Sequence, residues 1–247
     1  MSTTIRVTLV RIPVLQEREG RAGNSARLET VEIDAKAQIK EYKESLIIDA
    51  AARLFYEKGF QRTTIDDIAA ALGFTKPFVY TYFTSKHSIL VRLFDRIYDQ
   101  VIQSATHFDD LADAPPAQRL RHFLSEYIRK NLEQPQFSAV LLEEEKNLSP
   151  EKLEDMRVKL RAFDDQLMGL IKESAQAAGV EVAEPKLVAL SISGMVRSVH
   201  RWYSPKGRLS IEEVCDELTN IAMRAVGLPA ESLAAPPPKA ARSRPQK

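Results

Sequence analysis

The chain has 247 residues, 44% of them apolar and 28% charged, with a formal net charge of +1. This length holds one large or two smaller domains with a sizeable core, and the near-zero charge excludes an argument for polyanion binding from bulk electrostatics. The single cysteine, Cys215, excludes an intramolecular disulfide, and no run of about 18 apolar residues predicts a membrane span, so a cytoplasmic protein is expected.

Residues 1–40 lack helical periodicity and are broken by Pro13, Gly20 and Gly23. They are expected to be a disordered extension, with Thr4 to Leu15 able to form at most an unpaired strand. Helix signals begin near Lys40. Leu46, Ile47, Ala50, Ala51, Leu54 and Phe55 make one apolar stripe, closed by Lys58 and Gly59. Ile65, Ile68, Ala69 and Leu72 make a second, with Thr64 as N-cap, Asp66 and Asp67 in the first turn, and Gly73 at the end. Thr75 can cap a third helix that opens with Lys76 and Pro77 and runs to Phe83. Two short helices meeting at a glycine turn form a helix-turn-helix, whose second helix can enter the DNA major groove.

Ser85 caps a helix predicted from Lys86 to about Phe108, too long to belong only to a small reading unit. A loop at 109–116 follows. Further helices are predicted around Leu120–Ile128, Phe137–Asn147, Pro150–Gly179, Pro185–Tyr203 and Ile211–Val226, with Ser149 and Ser210 as caps. The pattern predicts an all-α protein of about nine helices. Its expected organisation is a disordered extension at 1–40, a helix-turn-helix domain at 41–87, a ligand-binding and dimerisation domain at 88–227, and a disordered tail at 228–247. Two helices from each subunit, about 185–203 and 210–227, are expected to form a four-helix dimer interface.

The stretch from Ala50 to Leu90 resembles the DNA-binding domain of the TetR/AcrR repressor family. The resemblance lies in Ala-Ala-Arg-Leu-Phe at 51–55, Lys-Gly-Phe at 58–60, Thr-Thr-Ile-Asp-Asp-Ile-Ala at 63–69, Tyr-Thr-Tyr-Phe at 80–83 and Ser-Lys at 85–86. Pro77-Phe78 departs from it, since small or polar residues are more usual there. The resemblance implies a non-enzymatic regulator without a cofactor. It implies a homodimer that binds a palindromic operator and releases it when a small hydrophobic molecule enters the C-terminal domain. An enzyme or carrier with a helix-turn-helix-like segment and a ligand-independent DNA binder are the alternatives.

For DNA contact, Thr63 and Thr64 can cap a helix and donate to phosphate, and Thr75 and Lys76 lie at the start of the recognition helix. By the resemblance, Pro77, Phe78 and Thr81 face the groove, where Pro77 or Phe78 can meet a thymine methyl; Phe78 can instead pack in the head's core. Tyr80, Tyr82 and Lys86 resemble the family's phosphate-binding positions. For an apolar ligand, candidate lining residues are Phe123, Tyr127, Phe163, Arg197 and Trp202. The stretch Trp-Tyr-Ser-Pro-Lys-Gly-Arg-Leu-Ser at 202–210 resembles a segment of family members that sense acyl-CoA thioesters, so an acyl-CoA is a candidate effector. Arg197, His200 and Arg201 can meet its phosphates or form ion pairs. Glu143, Glu144 and Glu145 read as a solvated helix face, Cys215 as a small apolar helix residue, and the four histidines lack zinc-ligand spacing.

Overall fold

The computed structural model describes the backbone of residues 21–106, 111 and 113–228, and the side chains of 35–99, 111 and 113–228. The expected strand at Thr4 to Leu15, and the tail beyond Leu228, lie outside the described residues. The chain divides into two units, 1–44 and 45–247. Among the described residues there are nine α-helices and no strand: α1 (Arg21–Lys58), α2 (Ile65–Ala71), α3 (Lys76–Tyr80), α4 (Lys86–Thr106), α5 (Pro116–Glu133), α6 (Pro135–Glu143), α7 (Pro150–Ala178), α8 (Pro185–Arg197) and α9 (Ile211–Ala225). None of these helices is long and apolar enough to cross a membrane.

The first helix corrects an expectation. It begins at Arg21 rather than near Lys40, so residues 21–40 are helical. The stretch from Arg27 to Lys43 is rich in Ala, Leu, Glu, Lys and Gln, which favour helix through low side-chain entropy cost. Residues 35–40 are all exposed, so this part of the helix has no apolar stripe for a periodicity argument to find.

The ends of the later helices follow local chemistry. Thr64 and Asp67 form a capping box: Thr64 Oγ1 accepts from the Asp67 backbone N–H at 3.1 Å, and the Thr64 backbone N–H donates to the Asp67 carboxylate at 2.9 Å. Ser210 and Glu213 repeat that box on α9. Ser149 accepts from the Lys152 N–H at 3.3 Å to open α7. Gly73, between α2 and α3, sits at φ 68°, in the left-handed region where a side chain would be strained. Helix α8 stops at Arg197, earlier than expected, and Val199–Arg201 continue as a 3-10 turn.

Two apolar clusters fill residues 45–228. The first joins α1, α2, α3 and α4 to Phe137, Val140 and Leu141 of α6, Leu148, and Met156 of α7. The helix-turn-helix head therefore shares one core with α4, α6 and the start of α7, instead of closing on three helices. The second joins α5, α7, α8 and α9 around Leu124, Ile128, Leu167, Ile171, Val196 and Ala222. Arg96 ties α4 back to α1 through Asp49 at 2.9 Å and Ser45 at 3.1 Å. Lys152 of α7 pairs with Asp95 of α4.

Asp67 is held at a pKa of about 2, below its ordinary 3.8, first by hydrogen bonds from the Thr64 side chain and backbone and then by Lys58. A depressed carboxylate stabilises the fold above its ordinary pKa, and that contribution is lost as pH falls from about 4 towards 2. Thr64→Ala is expected to cost about 1 kcal/mol through loss of the N-cap, measured by urea unfolding. An NMR titration of Asp67 in that variant should move its midpoint back towards 3.8.

Candidate nucleic-acid interface and internal cavity

Helices α2 and α3 present a short reading surface. Thr64, Thr75, Lys76, Pro77, Tyr80 and Thr81 are exposed, while Phe78 and Tyr82 are half-buried. Val79 and Phe83 face inward and anchor α3 on the first core. Phe74, Phe78 and Tyr82 form a row of rings with centroids 4.2 Å and 5.2 Å apart. Phe78 thus combines the two expected placements: it packs against the head's core and keeps part of its ring at the surface.

Most polar groups on this surface already have partners. Lys76 Nζ pairs with Asp66 at 2.7 Å, a contact that raises the lysine's pKa. Thr81 Oγ1 donates to the Phe78 carbonyl at 2.7 Å, and Thr64 Oγ1 donates to Asp67 at 2.6 Å. Thr75 occupies the N-cap of α3 without a side-chain cap bond.

Two assigned contacts are placed differently from expectation. Thr63 is 1% exposed, and its hydroxyl donates to the carbonyls of Gly59 at 2.9 Å and Leu54 at 3.2 Å. It closes the carbonyl end of α1, and burial keeps it from phosphate. Lys86 is half-buried, with Nζ 2.6 Å from the Phe60 carbonyl, 3.2 Å from the Gln61 carbonyl and 4.3 Å from the centre of the Phe60 ring. Burial lowers its pKa, against the opposing charge of Glu144.

Glu144 is the residue that sequence reasoning missed. It is 8% exposed, although it lies in the run read as a solvated face. Its Oε1 accepts from the Phe60 backbone N–H at 3.0 Å, and its Oε2 accepts from Asn147 Nδ2 at 2.7 Å. Asn147 Oδ1 in turn accepts from Gln61 Nε2 at 2.9 Å. These contacts join the end of α6 to the segment entering the helix-turn-helix, across 84 residues of sequence. Glu143 and Glu145 are exposed, as expected, but Glu143 lies 3.6 Å from His200 and 3.9 Å from Arg201. Arg201, like Arg197 beside Asp164 at 3.9 Å, is engaged in an ion-pair contact. Cys215 is buried against the Ser125 carbonyl.

A cavity of about 140 Å³ lies at the seam between the two apolar clusters. Helix α4 contributes Ile97 and Tyr98, and α6 contributes Phe137, Ser138 and Leu141. The opposite wall is Tyr127, Lys130 and Asn131 of α5, Leu160 and Phe163 of α7, and Arg197 of α8. Of the expected ligand residues, Tyr127, Phe163 and Arg197 come together here. Phe123 stands behind them, its ring 5.3 Å from that of Phe163. Trp202 does not take part: the 3-10 turn after α8 carries it outward, where it is 53% exposed against Tyr203. Burial pushes the Tyr127 hydroxyl up to about 12, with Arg197 opposing. Tyr98 is raised further by the same cause. Both phenols are therefore neutral donors at physiological pH.

A helix-turn-helix head sharing one core with a helical body is the architecture of a DNA-binding regulator. Residues 47–93 match the model of bacterial regulatory proteins of the tetR family, and residues 113–226 match the tetracyclin repressor-like C-terminal domain. A solved transcriptional regulator of the TetR/AcrR family from Thermobifida fusca YX-ER1 is 31% identical, over 73% of this chain and 96% of its own, with a TM-score of 0.58. The chain belongs to the TetR/AcrR family of transcriptional regulators. The regulator YuxN of Bacillus subtilis strain 168 is 29% identical over 57% of this chain, and the match spans 50% of YuxN's own length. AibR, solved in complex with isovaleryl coenzyme A and operator DNA, shares the fold at 24% identity, over 72% of this chain and 96% of its own, with a TM-score of 0.61.

Glu144→Ala would leave the buried Phe60 N–H without its acceptor. It is expected to cost about 1–3 kcal/mol, measured as a lowered urea midpoint. Glu144→Gln, which keeps an amide oxygen, should lose less.

Proposed function

We propose that this chain is a non-enzymatic, cytoplasmic repressor that binds a palindromic operator as a homodimer and lets go when a small hydrophobic effector enters the cavity. Residues 41–87 would act as the reader, and 88–227 as the effector and dimerisation body. The observation that carries this reading is the position of the cavity. Two of its walls, α4 and α6, are the helices whose ends hold Phe60: Lys86 at the start of α4 and Glu144 just past α6. At about 140 Å³ the cavity is smaller than the roughly 300–1,000 Å³ of a drug-sized ligand site. An effector larger than that would extend from the cavity's open side or press α4 and α6 apart, and pressure on those helices would reach the reader through Phe60. A coupling of about 1–3 kcal/mol is ordinary for allostery.

The DNA contacts we propose are Thr64, Thr75, Lys76, Pro77, Phe78, Tyr80, Thr81 and Tyr82. Lys86 is a clamp on the Phe60 and Gln61 carbonyls first, and reaches phosphate only by releasing them. The dimer we propose uses α8 and α9. Leu187 and Leu190 are 63% and 43% exposed on α8, and Ile221 is 44% exposed on α9. A side chain at Gly194, on the Leu187–Leu190 face, would meet nothing within 4 Å, which leaves room for a second helix. For the effector, AibR's complex with isovaleryl coenzyme A makes an acyl-CoA thioester the first compound class to test.

Sequence-specific, salt-sensitive binding to the chain's own promoter region, read by mobility shift, tests the core proposal. Absence of binding below micromolar protein would sink it. Within that assay, Lys76→Ala should weaken binding to all sequences and lower the salt slope by about one. Tyr80→Phe should weaken binding without changing the slope, because the lost group is neutral. Leu190→Asp should yield monomer in sedimentation and abolish operator binding.

A further inference from the structure

The cavity has a polar corner that its fold does not need. Tyr98 is 1% exposed, lines the cavity, and its hydroxyl has no hydrogen-bond partner among the described residues. A buried hydroxyl left unpaired destabilises a protein, and phenylalanine would fill the same space without that cost. The Arg197 guanidinium lines the same cavity and acts electrostatically on both Tyr98 and Tyr127. Its protein contacts are the Ser193 carbonyl, to which Nε donates at 3.2 Å, Asp164 at 3.9 Å, and a side-chain hydrogen bond with the Tyr127 hydroxyl. Lys130 adds a second cation to the lining. Glu145 and Asp155 act on Tyr98, and Asp164 on Tyr127, from behind the wall, but the described lining itself holds a phenol donor and two cations and no carboxylate, which suits an acceptor oxygen or an anion better than a cation.

Size narrows the class. A dry cavity of about 150 Å³ accommodates a six-carbon ring, and this one is about 140 Å³. We propose that the cavity takes a short acyl group of about six carbons, whose carbonyl or carboxylate oxygen accepts a hydrogen bond from Tyr98 beside the Arg197 guanidinium. This rests on the reading of the cavity as the effector site and makes Tyr98 its specificity-determining residue. A free carboxylate and a thioester carbonyl share this oxygen. The Arg197 charge favours the carboxylate, whereas Tyr98 serves both.

Calorimetric titration of the full chain with hexanoate, hexanoyl-CoA and hexylammonium, alongside operator release by each, tests the assignment. The wild type is expected to bind at least one acyl probe and to reject hexylammonium. Tyr98→Phe should bind that acyl probe about tenfold more weakly, one hydrogen bond's worth, while melting at a higher temperature than wild type without ligand. A residue of merely structural importance would not raise stability and lower affinity together. Tyr98→Met serves where Tyr98→Phe fails to fold. Equal acyl binding by wild type and variant overturns the assignment, as does tighter binding of hexylammonium, or binding of none of the three. The effector reading fails separately: if acyl probes bind in a Tyr98-dependent way but leave operator affinity unchanged, the polar corner stands and the release mechanism falls.

Discussion

The backbone of Phe60 is the joint on which the rest of the structure depends. Its N–H is held by a buried carboxylate just beyond α6, Glu144, and its carbonyl by the ammonium at the start of α4, Lys86. Both bonds involve a charged group in a partly dry setting, where such bonds are stronger than neutral ones. Each charge also faces the other, since Glu144 opposes the effect of burial on Lys86. The joint sits between α1 and α2, beside the apolar cluster that fuses the helix-turn-helix to α4 and α6. Gln61 and Asn147 add a neutral bond alongside it.

The division of the interior supports the same view. One cluster fuses the head to α4, α6 and the start of α7, and the other gathers α5, α7, α8 and α9. The cavity lies where they meet. Packing is therefore continuous from the cavity wall to α3 on one side. On the other, Tyr127 and Phe163 stand against the second cluster, with their rings 4.7 Å apart. Interiors this dense shift between discrete arrangements more readily than they stretch. A molecule wedged at the seam would press on α4 and α6, the two helices of the first cluster whose ends also hold Phe60.

The chemistry of element ends is legible in the sequence. The Thr64–Asp67 and Ser210–Glu213 boxes, the Ser149 cap and the turn at Gly73 are local, and each rests on residues within about four positions of one another. The helical stretch from Arg21 to Lys43 is not legible by periodicity: residues 35–42 are exposed, and an exposed stretch of good helix formers carries no stripe. Glu144 is illegible for a different reason. Three adjacent glutamates look alike in sequence, and only the approach of Phe60, 84 residues away, singles out the middle one. Trp202 is misplaced by periodicity because the apolar spacing of α8 runs on through residues that turn into a 3-10 segment at Val199. Thr63 and Thr64 are equivalent in sequence, yet one hydroxyl points into α1's carbonyl end and the other caps α2.

The reading surface itself is chemically quiet, which constrains how it can recognise DNA. Lys76 is paired with Asp66, Thr81 with a backbone carbonyl, and Thr64 with Asp67. Approaching phosphates must compete for Lys76 with a carboxylate already 2.7 Å away, so the gain from a new phosphate bond is offset by breaking the existing ion pair. With the one lysine of α3 already paired, the base contact proposed for that helix depends on apolar surface. That surface is the exposed Pro77 and the outer edge of the Phe74–Phe78–Tyr82 row, whose natural complement in the major groove is the thymine methyl. The Pro77-Phe78 pair, which departs from the family's usual small or polar residues, is thereby the place where this chain's sequence preference would be written. Discrimination through apolar contact leaves few released counterions, so specificity would survive rising salt better than affinity does.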